Sequence, residues 1–327
     1  MKHHLARWLT LLLVPVLLIT AGCSGPSGQP EAARPTRTVR IAYLPITHAL
    51  PLFQEKEMET ADGPVHVELI RYGSWPELMD ALNTGKVDSA SVLIELAVKA
   101  REQGIDIRAA ALGHRDGNVI IAGKDIATPE DLKGKIFAIP HKQSSHKLLL
   151  DQMLQEHGMT EKDLTVVEMS PPEMPAGLAQ GQIAGYCVAE PFGAKAILNG
   201  NGNGHVLTRS DELWPDSVCC ALVFNGQFLD NHHDLAKAMV HEYLAAGRYL
   251  TAHPESQLAT AQKYLKAKGP VLDLSFQWIS YDDLALKPKA YQDLTQRMVD
   301  TGLIKTVPPY AEFVDTSLLD DSQGERS

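Results

Sequence analysis

Positive charge is in short supply: 30 Lys and Arg stand against 40 Asp and Glu, a formal net charge of −10. A surface that neutralises phosphates needs the opposite balance, and no basic stripe with interleaved aromatics occurs, so nucleic acid is excluded as a partner. Net charge describes the whole surface and leaves room for a small anion in one cleft. Aromatic residues make up only 6% of the chain. Cysteine is limited to Cys23, Cys187, Cys219 and Cys220. Three thiols beyond the first cannot all pair, and adjacent cysteines rarely close the strained ring between them, so no disulfide framework is expected. Gly-x-Ser-x-Gly, His-Glu-x-x-His, Gly-x-x-x-x-Gly-Lys-Ser/Thr and Cys-x-x-Cys are all missing. The expectation is a protein with neither catalytic residues nor a cofactor.

What the chain has is material for a sizeable core: 44% hydrophobic residues over 327 positions, with 24 Gly and 20 Pro for turns. That length fits about two domains. Lys2 and Arg7 precede an apolar run from Trp8 to Ile19, broken by Thr10 and Pro15, and Thr20-Ala21-Gly22-Cys23 follows. The run is shorter than the roughly 20 apolar residues of a membrane span and has the layout of a secretion signal. The small residues before Cys23 resemble the lipobox of bacterial lipoproteins. This resemblance implies that residues 1–22 are a lipoprotein signal peptide cleaved before Cys23, that the Cys23 thiol carries lipid, and that the protein is extracytoplasmic and lipid-anchored to the membrane of a bacterial cell. Residues 23–37, rich in Pro, Gly and Ser, read as a flexible spacer.

From Thr38 onward short apolar strands alternate with helical stretches, the pattern of an α/β protein with parallel sheets. Strands are expected at Val39–Leu44, Val65–Ile70, Val87–Val92, Ile107–Leu112 and Asn118–Ala122, then at Ile136–Ile139, Leu164–Met169, Ile183–Val188 and Val218–Phe224. Ser74 caps one helix, Thr128 another, and a third runs from Ser145 to His157. Leu82-Asn83-Thr84-Gly85-Lys86-Val87-Asp88 echoes Leu178-Ala179-Gln180-Gly181-Gln182-Ile183-Ala184, each a helix end, a glycine turn and a strand start. Two similar lobes are therefore expected: residues 38–118 plus 222–315 form lobe 1, residues 119–221 form lobe 2, and 316–327 are a polar tail. A long helix follows the last strand, with Leu235, Met239, Tyr243, Ala246 and Leu250 on one face. Two crossings, near Asn118 and Ala221, leave a ligand cleft that can hinge closed.

Ile41-Ala42-Tyr43-Leu44-Pro45, Ser74-Trp75, Gly85-x-Val87-Asp88, Asp131-Leu132-Lys133-Gly134-Lys135 and Tyr186-Cys187-Val188-Ala189-Glu190-Pro191-Phe192 occur in that order. Together they resemble extracytoplasmic solute-binding proteins of ABC importers, in the nitrate, sulfonate, taurine and bicarbonate group. The resemblance implies the two-lobed periplasmic-binding-protein-like fold (type II) with two crossover strands, a monomer, and partnership with permease and ATPase subunits. It also implies a small oxyanion or organosulfonate as ligand. A pyrimidine or thiamine precursor bound by the same fold, or a tethered sensor without transport, are the alternatives.

Ligands of open α/β sheets bind beyond the carboxyl ends of strands. That rule selects Thr47 and His48, Ser74 and Trp75, Ser91, the loop carrying Ser144, Ser145 and His146, and Glu190. Free N–H groups at the helix start after Ser144 suit an anionic oxygen, and Trp75 suits a ligand face. Glu190 suits an amine, or a cation or proton shared with an anion. Cys219 and Cys220, between Val218 and Ala221, read as the lining of a buried strand. His232, His233 and His241 read as a solvated helix face, and no metal site is expected.

Overall fold

In the computed structural model the described residues are 38–319, apart from Asn201 and Asp216; Cys23, the signal peptide and the spacer lie outside them. The strands are β1 (Thr38–Tyr43), β2 (His66–Arg71), β3 (Ser89–Leu93), β4 (Ile107–Leu112), β5 (Arg115–Asp116), β6 (Asn118–Gly123), β7 (Ile136–Ile139), β8 (Thr165–Glu168), β9 (Gly185–Ala189), β10 (Gly204–Arg209), β11 (Cys220–Asn225) and β12 (Ile279–Ser280). They form two five-stranded sheets, ordered β2-β1-β3-β11-β4 and β10-β6-β9-β7-β8, and a two-stranded ribbon of β12 and β5.

The sheets share one plan. In the first, β1 pairs in parallel with β2 and β3, and β11 runs antiparallel between β3 and β4. In the second, β7 pairs in parallel with β8 and β9, and β6 runs antiparallel between β9 and β10. Each sheet thus receives its antiparallel strand from a crossing: the chain leaves the first sheet after Leu112, enters the second at Asn118, leaves it at Arg209 and returns at Cys220. The two echoed segments occupy equivalent turns, before β3 and before β9. Gly85 (φ +69°) and Gly181 (φ +70°) both take the left-handed conformation that a side chain would strain.

The helices are α1 (Leu50–Met58), α2 (Trp75–Asn83), α3 (Ile94–Glu102), α4 (Ser145–Glu156), α5 (Met174–Ala179), α6 (Phe192–Asn199), α7 (Ser210–Leu213), α8 (Gly226–Ala252), α9 (Pro254–Leu265), α10 (Gly269–Ser275), α11 (Pro288–Asp300) and α12 (Tyr310–Phe313). In α8 the expected face is buried at Met239, Tyr243, Ala246 and Leu250, while Leu235 is half-buried. Tyr243 anchors α8 to the first sheet by donating to the Leu112 carbonyl at 3.2 Å. Phe53 of α1 stacks on Tyr264 of α9 at 4.7 Å. The helix expected after Thr128 is one 3-10 turn, Pro129–Leu132, whose start Asp131 caps by accepting from the Thr128 and Ala127 N–H groups at 3.0 and 2.9 Å, and the backbone turns extended at Lys133 (φ −55°, ψ 127°). Leu318 is buried in another such turn, Thr316–Leu318. No helix among the described residues is long and apolar enough to cross a membrane.

Candidate functional site at the junction of the two sheets

The loop after β1 is tied to the loop after β9. Thr47 donates to the Glu190 carbonyl from its N–H at 2.9 Å and from Oγ1 at 2.8 Å, and Tyr281 donates to the Thr47 carbonyl at 2.9 Å. The crossing segment joins the same knot, because the Gly117 carbonyl accepts from the Glu190 N–H at 3.1 Å and from His48 Nε2 at 3.1 Å. A carbonyl only accepts, so the His48 proton sits on Nε2 and Nδ1 presents a lone pair.

That lone pair faces two sulfurs. Cys219 Sγ lies 3.6 Å and Cys220 Sγ 3.5 Å from His48 Nδ1, and the sulfurs are 3.8 Å apart. The His114 ring stacks on His48 with centroids 3.4 Å apart. Ligand-capable atoms of His48, His114, Cys219 and Cys220 all lie within 4.8 Å of one another, and all four residues are buried. Adjacent residues within a strand point to opposite faces, but Cys219 stands one residue before β11, where that alternation is not imposed. Its carbonyl accepts from the Ile94 N–H and that of Cys220 from the Gly113 N–H, each at 2.8 Å.

Burial sets the protonation states. It pushes His114 down to about 4 and His146 down to about 4, so both imidazoles are neutral at pH 7. Burial also opposes ionisation of Cys219, but its hydrogen bonds, that from Cys220 first, lower that thiol, while burial and Cys219 push Cys220 up. Glu95, at the start of α3, is pushed well up by burial and by Cys219. Burial raises Glu190 to about 7 against the pull of Ser275 and the Ala194 N–H. Ser275 Oγ lies 2.6 Å from Glu190 Oε2 and 2.8 Å from the Val271 carbonyl. One hydroxyl proton cannot serve both acceptors, so the network closes when Glu190 carries a proton and donates to Ser275.

The residues selected from sequence divide into two groups. Thr47, His48, His146 and Glu190 are buried and belong to the junction, and Ser145 is buried with its hydroxyl unpartnered. Ser144 is the cap of α4: Oγ accepts from the Lys147 N–H at 3.3 Å and donates to the His141 carbonyl at 2.6 Å. Ser74 precedes α2 without a side-chain cap bond, Trp75 is buried with Nε1 unpartnered, and Ser91 is buried in β3 opposite Leu222. No hydrogen bond among the described residues links these three to the junction. Sequence reasoning passed over His114, Glu95 and Asn118; Cys219 and Cys220 are buried, as read, but also meet His48. The strand-end rule that selected His48 applies equally to His114 after β4 and Glu95 after β3; only the meeting of the two thiols with His48 needed three dimensions.

Known proteins share this arrangement of sheets. A crystal structure of the ligand-binding component of an ABC-type import system from Staphylococcus aureus, with zinc bound, is 38% identical, with a TM-score of 0.82 over 87% of this chain and 98% of that one. The taurine-binding periplasmic protein of Escherichia coli is 25% identical over 232 residues, 70% of this chain and 71% of that protein. The bicarbonate transport ATP-binding protein of Synechocystis is 28% identical over 267 residues, 75% of this chain but 39% of that protein's length. The fold is that of periplasmic binding proteins, as the resemblance implied. The profile of the NMT1-like family matches residues 32–265, and the chain belongs to that family.

Proposed function

We propose that this protein is the substrate-binding component of an ABC importer. Lobe 1 (38–118 with 222–315) and lobe 2 (119–221) close over a small ligand, and the closed form docks on a membrane permease driven by an ATPase. The observation that carries this reading is a group of polar atoms buried without hydrogen bonds: both Glu95 oxygens, both His146 nitrogens, Asn118 Nδ2, Ser145 Oγ and Glu190 Oε1. Each such group costs about 1–3 kcal/mol when left unpaired. A ligand that satisfies them favours the closed state over the open one, and only such differential affinity moves a hinge.

The relatives named for taurine and for bicarbonate transport support a small oxyanion or organosulfonate, as do the N–H groups and the Ser145 hydroxyl in the first turn of α4. A protonated Glu190 removes the repulsion an ionised carboxylate would offer an anion. The role is binding and delivery without turnover, by a monomer held outside the cytoplasm through lipid on Cys23. A second reading, a metal ion within the bound species, is favoured by the His48–Cys219–Cys220 geometry and by the zinc of the Staphylococcus aureus protein.

The test is thermal unfolding of protein lacking residues 1–22, refolded to strip bound ligand, with nitrate, bicarbonate plus calcium, taurine, alkanesulfonates and aminopyrimidines. A ligand at about a thousand times its Kd adds roughly 4 kcal/mol, a rise in Tm of several degrees. A selective rise with one anion, abolished by Ser145→Ala with His146→Ala, is the expected result. No rise with any anion overturns the oxyanion class, and a rise with aminopyrimidine alone replaces it by the heterocycle.

A further inference from the structure

The four-residue cluster beside the unpartnered polar groups has the dimensions of a coordination polyhedron. Zinc bonds sulfur at about 2.3 Å and imidazole nitrogen at about 2.0–2.1 Å, so a regular S2N2 tetrahedron has edges of about 3.8 Å between sulfurs and about 3.6 Å between sulfur and nitrogen. The sulfurs are 3.8 Å apart, and His48 Nδ1 is 3.6 and 3.5 Å from them. These match three of the six edges of that solid, and the ligand atom of His114 lies within 4.8 Å of the other three, so His114 must turn from its stacking on His48 to complete it. The matching distances are also ordinary contacts for thiol hydrogen bonds; what points to a metal is that both His114 nitrogens are buried beside them without a hydrogen-bond partner, within reach of the same point.

His48 has the orientation of a metal ligand. Its Nε2 proton is fixed on the Gly117 carbonyl, the outer contact that metal-bound histidines use to hold tautomer and ring direction. The Cys219 thiol donates to Asn118 Oδ1 at 3.8 Å, a bond that metal binding would give up with the proton. Two thiolates and two neutral imidazoles cancel a divalent charge, which suits a place where no Lys or Arg among the described residues is buried to balance an anion. Soft sulfur donors with imidazole in a tetrahedron select a d10 ion over Mg2+, Ca2+ or Mn2+.

We propose that His48, His114, Cys219 and Cys220 bind one d10 transition-metal ion of the Zn2+ class at the junction of the two sheets. The ion displaces the thiol protons, two per Zn2+ counted from two neutral thiols, and these pass to buffer. Three of the four ligands stand at the crossings, His114 just after Leu112 and Cys219 and Cys220 where the chain returns, so binding draws the crossings together with the loop after β1. That the ion is also cargo rests on the importer reading; that it binds does not.

The experiment titrates Zn2+, and Co2+ as a coloured probe, into the reduced, metal-stripped protein lacking residues 1–22, with no anion added. One equivalent is expected, with the near-ultraviolet thiolate-to-Co2+ band and the intense visible bands of a tetrahedral site. Cys219→Ser with Cys220→Ser should abolish the thiolate band and weaken Zn2+ at least about a hundredfold, beyond the range of outer-contact losses. His232→Ala with His233→Ala should change neither. Retention of stoichiometric, equally tight binding in the double serine variant, or no binding by the native protein, overturns the proposal. If the serine variants do not fold, X-ray absorption of the Zn2+-loaded native protein decides: two sulfurs at about 2.3 Å and two nitrogens at about 2.0–2.1 Å support it, and a shell of nitrogen and oxygen alone overturns it. A positive titration beside a negative anion panel keeps the metal site and rejects the oxyanion, so the two readings fail separately.

Discussion

Glu190 connects chemistry at the junction to the pH of the surroundings. Its folded-state pKa of about 7 stands above the unfolded value of about 4.3, so the folded protein holds this proton more tightly. The stabilisation is fully present below about pH 4, and it is lost as pH rises towards 7, a change of about 3 kcal/mol from this one group. Glu190→Gln keeps the shape, cannot ionise, and should raise Tm at pH 8 relative to the native protein while leaving the difference small at pH 5; melting curves at the two values check it. Glu190 was legible in the sequence as a strand-end acid. Its proton was not, because it depends on full burial, which wins over the opposing pull of Ser275, 85 residues further along the chain. Trp75, expected to cover a ligand face, is also 3% exposed, so Trp75→Ala should cost about 3–5 kcal/mol of stability by cavity formation, measured by denaturant unfolding, whatever it does to binding.

At the scale of elements, strands were the legible part. Runs such as Ile107–Leu112 and Ile136–Ile139 have the bounds expected of them, because short, mostly apolar runs opening on an Ile between polar turns leave few alternatives. Helices α1 and α3 were not read, since Leu50 through Glu55 and Ile94 through Val98 are buried on every side and show no polar face to give a period. Strand β10 was missed for the opposite reason: all six of its residues are half-buried, and its apolar alternation is weak. The first crossing segment carries a testable constraint. A Cβ on Gly113 would lie 2.5 Å from the His48 carbonyl oxygen and 3.4 Å from Cys220 Cβ. Gly113→Ala therefore pushes the loop after β1 away from β11. It should lower Tm by several degrees and weaken ligand binding more than a surface substitution such as Lys124→Ala, with calorimetric titration as the check.

For the whole molecule, two sheets of the same order are joined by two short crossings, and the proposed function requires the body to open about them. Hydrogen bonds from Thr47 and His48 to Glu190 and Gly117 tie the loop after β1 to the loop after β9 and to the first crossing, and on that proposal they favour the closed state. Ligand-saturated protein should therefore have a smaller radius of gyration than stripped protein in small-angle X-ray scattering, and Thr47→Val, which removes one of these bonds, should move the stripped protein further open. Equal radii in both states would place the ligand response in side chains. The topology also bears on synthesis. All five strands of the second sheet lie between Asn118 and Arg209, whereas the first sheet lacks its inner strand until Cys220–Asn225 has been made. During growth of the chain β3 and β4 have no neighbour between them, and the N-terminal half waits unfinished while the middle folds. On the proposed extracytoplasmic role this order matters for export, because the first half cannot complete its sheet until about two thirds of the chain has been made.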